Sequence, residues 1–174
     1  DVWRPADSTE VAVAWIAAVE RMDGPSSLVL SRQGIPGRKH DTADFAAIRK
    51  GGYVLSEAKG SAVAIIIGTG SELDLAAKAQ EVLAVEGINV RVVSMPSTNV
   101  FDRQDQAYKD SVLKPGVKRI AIEAGVTDFW RKYVGLDGAV VGIDTFGESA
   151  PGGVLMEHFG FTVDNVVKTV KEVV

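Results

Sequence analysis

No cysteine occurs among the 174 residues. That excludes a disulfide framework, a thiolate metal site and a cysteine nucleophile, and it fits a reducing compartment. Histidine is nearly as scarce. His40 and His158 stand far apart, and neither belongs to a His-x-x-x-His or His-Glu-x-x-His pair, so no metal site is expected and both read as surface or boundary residues. The apolar runs are far too short to span a bilayer, which argues against a membrane protein. Positive charge is also in deficit: 19 Lys and Arg against 23 Asp and Glu leave a net charge of -4, and no basic cluster is interleaved with aromatics. Nucleic acid is therefore not an expected partner. The opening, Asp1-Val2-Trp3-Arg4-Pro5, has no basic region, apolar core and small-residue cleavage site in succession, so no secretory leader is visible. It also lacks an initiator methionine and reads as a processed or excised start.

What is present is an ordinary globular composition, 46% hydrophobic and 24% charged, at a length that suits one good core or one domain plus a piece of another. The first stretch reads strand, helix, strand: Val2 to Arg4, Asp7 to about Met22, then Ser27 to Leu30. Asp7 is placed to cap the helix, with Glu10 reaching back in a capping box. From Val11 to Val19 every residue is apolar. Such a helix needs burial on all sides, which two short strands cannot supply. This stretch is therefore predicted to be the tail of a larger domain, or else a helix packed between that remnant and the domain that follows. Residues 34–51, beginning Gly34-Ile35-Pro36-Gly37-Arg38-Lys39, read as a linker.

Beyond Tyr53 the pattern alternates. Ala62 to Ile67, Ile88 to Ser94, Val117 to Glu123 and Ala139 to Asp144 are short apolar runs of the kind that form parallel strands covered on both faces, with Tyr53-Val54-Leu55 as an added edge. Ser71 to Glu86 sets Leu75, Ala76, Ala79, Val82 and Leu83 on one helical stripe, and a last helix from about Asp164 does the same with Val166, Val167, Val170, Val173 and Val174. A short helix is expected around Val154 to Phe159. The fold class that follows is α/β, a three-layer α/β/α domain on a mostly parallel sheet of about five strands.

Chemistry is less legible. Gly68-Thr69-Gly70-Ser71-Glu72-Leu73-Asp74 follows a buried strand and opens a helix, the layout in which backbone amides hold phosphate. It lacks the three spaced glycines of a dinucleotide fingerprint and the Lys-Ser or Lys-Thr of a phosphate loop. Ser71 or Thr69 can instead cap the helix, with Asp74 or Glu72 at its third position, and those acids would repel an anion. The reading favours a structural turn, with a regulatory small-molecule site formed by Gly68, Gly70, Ser71, Glu123 and Asp144 as the alternative. Glu123 and Asp144 sit where strands end, the usual place for ligands in such sheets, though a cap or ion pair explains each. Arg32 directly follows a strand, so its guanidinium is expected at a sheet's carboxyl edge, poised for a phosphate or for an ion pair between domains.

Met95-Pro96-Ser97-Thr98-Asn99-Val100-Phe101-Asp102-Arg103-Gln104-Asp105, Glu123-Ala124-Gly125-Val126, Thr145-Phe146-Gly147-Glu148-Ser149-Ala150-Pro151 and Phe159-Gly160-Phe161-Thr162-Val163-Asp164-Asn165, in that order, resemble the carboxyl-terminal region of transketolase. The resemblance covers essentially the whole chain. It implies a cytoplasmic, homodimeric transferase of the pentose phosphate pathway that moves a two-carbon ketol unit between sugar phosphates, using thiamine diphosphate and Mg2+ or another divalent metal. It implies that residues 1–33 end the pyrimidine-binding domain, that 34–51 link, and that 52–174 are the carboxyl-terminal domain. It also implies that Arg32, in Leu28-Val29-Leu30-Ser31-Arg32-Gln33, grips the sugar phosphate. The family's Gly-Asp-Gly metal motif is missing, Leu136-Asp137-Gly138 being a superficial echo, and no catalytic residue is expected in this stretch. The chain alone is therefore expected to be catalytically incomplete and to hold no cofactor. Alternatives are a structural or dimerisation module, or the same part of a sister thiamine diphosphate enzyme such as dihydroxyacetone synthase or deoxyxylulose phosphate synthase.

Overall fold

The computed structural model describes residues 1–174. It begins with a small unit of β1 (Val2–Trp3), α1 (Ser8–Glu20) and β2 (Ser27–Leu28). The two strands pair in parallel, Val2 beside Ser27 and Trp3 beside Leu28, the arrangement a crossover helix produces. Asp7 caps α1 by accepting from the Glu10 amide. The reciprocal arm of the expected capping box goes elsewhere: the Glu10 carboxyl accepts from the Ala6 amide, because this side chain is turned into a buried seam. Val13 and Ala14 are buried beside Glu10, while Trp15, Ile16 and Val19 face outward. The apolar helix thus buries one face within this chain rather than its whole circumference.

The segment predicted as a plain linker contains a helix, α2 (Thr42–Ile48), with a complete capping box between Asp41 and Asp44. Ile48 is its only buried residue and packs beside Val13 and Tyr53. One buried position in so short an element leaves no periodic stripe, which is why composition alone suggested irregular chain. Gly51, at φ +82°, then turns the chain so tightly against the Ser97 loop that a Cβ there would lie 2.4 Å from the Ser97 carbonyl.

The main body comprises β3 (Tyr53–Ser56), β4 (Ala64–Gly68), α3 (Leu73–Val85), β5 (Val90–Ser94), α4 (Thr98–Asp102), α5 (Gln106–Val112), β6 (Lys118–Ile122), α6 (Arg131–Val134), β7 (Ala139–Val141), α7 (Gly152–His158) and α8 (Val163–Val173). Its five strands run in the order β3-β5-β4-β6-β7. Only the edge strand β3 is antiparallel. Alternate residues enter opposite cores, as the pleat requires. Ala64, Ile66, Val92, Ile120 and Ile122 meet α3 and α8 on one face. Ile65, Ile67, Val93 and Ala121 meet Phe101, Val112, Trp130 and Tyr133 on the other. This is the three-layer α/β/α arrangement on a mostly parallel sheet. The strands are shorter than their apolar runs, β7 ending at Val141 rather than Asp144. Val82, placed on the buried stripe of α3 by its spacing, is 40% exposed because α3 packs through Leu73, Ala76, Ala79 and Leu83 instead.

Candidate functional site

β4 is the strand at which the connections diverge: α3 carries the chain to β5 on one side, and the chain then crosses back to β6 on the other. In doubly wound sheets the crevice at the carboxyl ends of such strands is the usual ligand position. Here Arg4, just after β1, enters it. Its amide donates to the Pro96 carbonyl at 2.7 Å, and its own carbonyl accepts from the Gly70 amide at 3.0 Å. Gly70, at φ +55°, takes a left-handed conformation that side chains disfavour and that presents this amide. The Arg4 guanidinium pairs with Glu123 and stands 3.8 Å from Glu72. The second oxygen of Glu123 accepts from the Trp130 indole N–H. Burial draws the Arg4 pKa below its ordinary value, while the Glu72 charge opposes that shift.

Those contacts decide what Gly68 to Asp74 does. The stretch forms a 3-10 turn, Gly70–Glu72, leading into α3, and neither Thr69 nor Ser71 caps through its side chain. The Thr69 hydroxyl donates to the Arg4 carbonyl at 3.4 Å and the Ser71 hydroxyl to Glu72 at 2.6 Å. The expected caps are absent because the Thr69 hydroxyl is taken by Arg4, the Ser71 hydroxyl by Glu72, and Asp74 by Arg38 and Lys78. A cavity of about 460 Å³ remains beside Arg4, with Val2, Val29, Phe129 and Trp130 among its lining residues. Glu123 and Thr69 line it.

Asp144 lies apart from this crevice. It is exposed and accepts from the Thr127 amide at 2.9 Å and the Thr127 hydroxyl at 2.8 Å, closing the 3-10 turn Thr127–Trp130. The Thr127 amide bond, aided by the hydroxyl, holds the Asp144 carboxyl below the usual range. Of the residues grouped from sequence, the structure joins Glu123 to the Gly68–Ser71 turn through Arg4 and leaves Asp144 as a turn cap.

Arg32 is exposed, in irregular chain beyond β2. The strand stops earlier than expected, although the Val29 amide still donates to the Trp3 carbonyl at 2.8 Å. The Arg32 guanidinium joins none of the ion pairs that hold Arg4, Arg21, Arg38, Arg49 and Arg91. Its neighbour Gln33 reaches the start of α7, where a Cβ on Gly152 would lie 2.7 Å from the Gln33 amide nitrogen. His158 is exposed against Phe159. His40 is a boundary residue with a buried side chain, 3% exposed, bonded to Asp7 at 2.7 Å. Arg4 was not singled out from sequence, where it reads as the last residue of the first strand; β1 ends at Trp3 and leaves Arg4 to enter the crevice.

The donor set does not fit a diphosphate-bound metal. No three His, Asp or Glu side chains converge as metal ligands, and Asp137 of the Leu-Asp-Gly echo is an exposed side chain 3.9 Å from Lys118.

The fold and crevice define a doubly wound α/β domain whose switch point is entered by an arginine of its own chain. Residues 51–162 match the family model described as the transketolase-like TK C-terminal domain. Transketolase 1 of Vibrio vulnificus strain YJ016 is 57% identical over 171 residues, 98% of this chain and 26% of that protein. Transketolase 1 of Escherichia coli K12 is 56% identical over the same shares. Among solved structures, transketolase from Leishmania mexicana superposes with a TM-score of 0.91 at 39% identity, covering 99% of this chain and 25% of that one. A split-gene transketolase described as an inactive β4 tetramer superposes at 0.73 with 29% identity, covering 99% of this chain and 57% of that one. The chain belongs to the transketolase family, as the carboxyl-terminal domain with the strand-helix-strand unit before it, and spans about a quarter of the length of these curated relatives.

Proposed function

We propose that the chain is the carboxyl-terminal part of a cytoplasmic, homodimeric enzyme that transfers a two-carbon ketol unit from a ketose phosphate to an aldose phosphate, and that Arg32 is its contribution to substrate binding. In this reading 1–33 end the pyrimidine-binding domain, 34–51 connect, and 52–174 are the carboxyl-terminal domain. Thiamine diphosphate and a divalent metal are held by parts of the enzyme outside this stretch. When bound, the cofactor supplies carbanion stabilisation. The observation that carries the Arg32 assignment is an exposed guanidinium, free of any ion pair, just beyond a parallel strand. Such a fork is suited to a doubly hydrogen-bonded phosphate.

The test is Arg32→Ala in the whole enzyme. Loss of a charge-assisted bond worth about 1.5–3 kcal/mol lowers kcat/KM for a phosphorylated ketose roughly tenfold to a hundredfold, with little effect on a ketose lacking phosphate. Equal losses on both substrates would remove Arg32 from the phosphate site. The 174-residue chain supplied with thiamine diphosphate, a divalent metal and both sugar phosphates is expected to give no transfer. Measurable turnover would end the claim of incompleteness.

A second reading, an assembly module, is favoured by one observation. Trp15, Ile16 and Val19 form an exposed apolar face on α1 that nothing in this chain covers. The split-gene relative, described as an inactive tetramer, supports a chain of this kind having an assembly of its own.

A further inference from the structure

The first unit is fastened to the sheet domain at a second place, through Glu10. This residue is 0% exposed, beside the apolar cluster of Val13, Ile48 and Tyr53. Its Oε1 accepts from the Ser94 hydroxyl of β5 at 2.6 Å and the Tyr53 hydroxyl of β3 at 2.9 Å. Its Oε2 accepts from the Ala6 amide at 2.6 Å. The titratable groups around it are few. Asp7 accepts from the Glu10 amide at 2.9 Å. His40 of the connecting segment approaches Asp7 at 2.7 Å and sets its ring edge-on to Tyr53, centroids 6.4 Å apart. Asp44 of α2 stands 3.4 Å from the other His40 nitrogen. None of these elements brings an ammonium or guanidinium to the Glu10 carboxyl.

A carboxylate buried without a cation is costly, and Asp7 adds repulsion. Burial is the largest influence and raises the Glu10 pKa above its ordinary value; the Ser94, Ala6 and Tyr53 hydrogen bonds offset part of that, and Asp7 adds to it. The partners suit a neutral acid as well as an anion, because a hydroxyl donates or accepts according to need. A protonated Glu10 keeps every contact by donating to Ser94 or Tyr53 while still accepting the Ala6 amide.

We propose that Glu10 is a proton-held joint: as the neutral acid it seats α1 on β3 and β5, and loss of its proton loosens the seam between the first unit and the sheet domain. The sign follows from linkage. A carboxyl that binds its proton more tightly in the folded chain stabilises fully below the ordinary Glu pKa and loses that contribution as pH rises through the folded value.

The test uses the full chain and the substitution Glu10→Gln, whose amide oxygen can accept from Ala6 while its nitrogen donates to Ser94 and Tyr53. The quantity read is the difference in Tm between variant and wild type. It is expected to move in favour of E10Q by about 3 °C or more between about pH 5 and pH 9. Backbone hydrogen exchange around Ala6 to Ala14 and Tyr53 to Ser56, corrected for base catalysis, is expected to speed at least tenfold over that range in wild type and not in E10Q. The infrared spectrum of the wild type needs no variant: a protonated-carboxyl band should persist above about pH 7, where ordinary carboxylates are ionised. A Tm difference that stays constant or moves against E10Q, a wild type without that band, or exchange at the seam indifferent to pH would each overturn the proposal.

Discussion

The sheet domain and the first unit solve the same burial problem differently. The sheet has apolar residues on both faces and helices over both, so Ile65 and Ile66 point opposite ways and both are 0% exposed. The first unit, one helix and two short strands, has too few elements to cover its own apolar side chains. Of its buried apolar residues, Ala6 joins the sheet cluster of Ile66 and Leu73, Trp3 and Ala14 meet Val100, and Val13 meets Ile48 and Tyr53, while the far side of α1 stays open. The lesson is that apolar sequence measures demand for burial, whereas local topology sets how much of that demand is met. Polar groups add to that fastening, through Arg4 at the strand ends and Glu10 at α1.

That contrast can be broken in graded steps. The largest effect is expected from Ile66→Ala, which empties a fully buried position facing α3 and α8 and should cost about 2–5 kcal/mol. Because the first unit depends on the sheet for its partners, denaturant unfolding followed by tryptophan fluorescence should show both regions losing structure in one transition. Arg4→Ala comes next. It leaves Glu72 and Glu123 as buried carboxylates without their cation, at a cost of about 1–3 kcal/mol, less than for a fully enclosed pair because the guanidinium is 28% exposed. Here the regions should part company: hydrogen exchange should accelerate in residues 1–33 and at the Gly68–Ser71 turn while the centres of β4 and β6 stay protected. Uniform acceleration would show that the crevice belongs to the core itself. The smallest effect on folding is expected from Val19→Lys, at a position 74% exposed, where stability should change by no more than about 0.5 kcal/mol. Its readout is sedimentation, in which self-association of the wild-type chain through the α1 face should weaken. An unchanged, fully monomeric wild type would remove the assembly reading.

Strands β4, β5 and β6 were legible because β-branched runs between helical stripes admit few other readings, and α3 and α8 because their stripes recur over enough turns to define a face. α2, α4, α5 and α6 were not foreseen. Each spans seven residues or fewer, too short for a period to emerge, and each is fixed by a cap or by tertiary contact, as Asp105 caps α5 through the Tyr108 amide. The crevice was half legible. Glu123 and the Gly68–Ser71 turn were placed at strand ends, but what reaches them comes from a strand at the far end of the sequence. Nothing local in Arg4-Pro5 announces a partner so distant. Glu10 was read as half of a capping box, which its spacing from Asp7 justified; its neighbours Tyr53 and Ser94 lie 43 and 84 positions away.

Those separations bear on the order of assembly. The Val2 amide bonds Asn99 across 97 positions and Arg103 reaches Asp1 across 102, so the seat for the first residues is built from chain that is synthesised later. Loop closure over such distances brings little enthalpy until β4, β5 and β6 stand side by side and Thr69, Pro96 and Glu123 share one edge. The first element to be made thus has no seat of its own, and Arg4 can lock only into a crevice that β4, β5 and β6 together create.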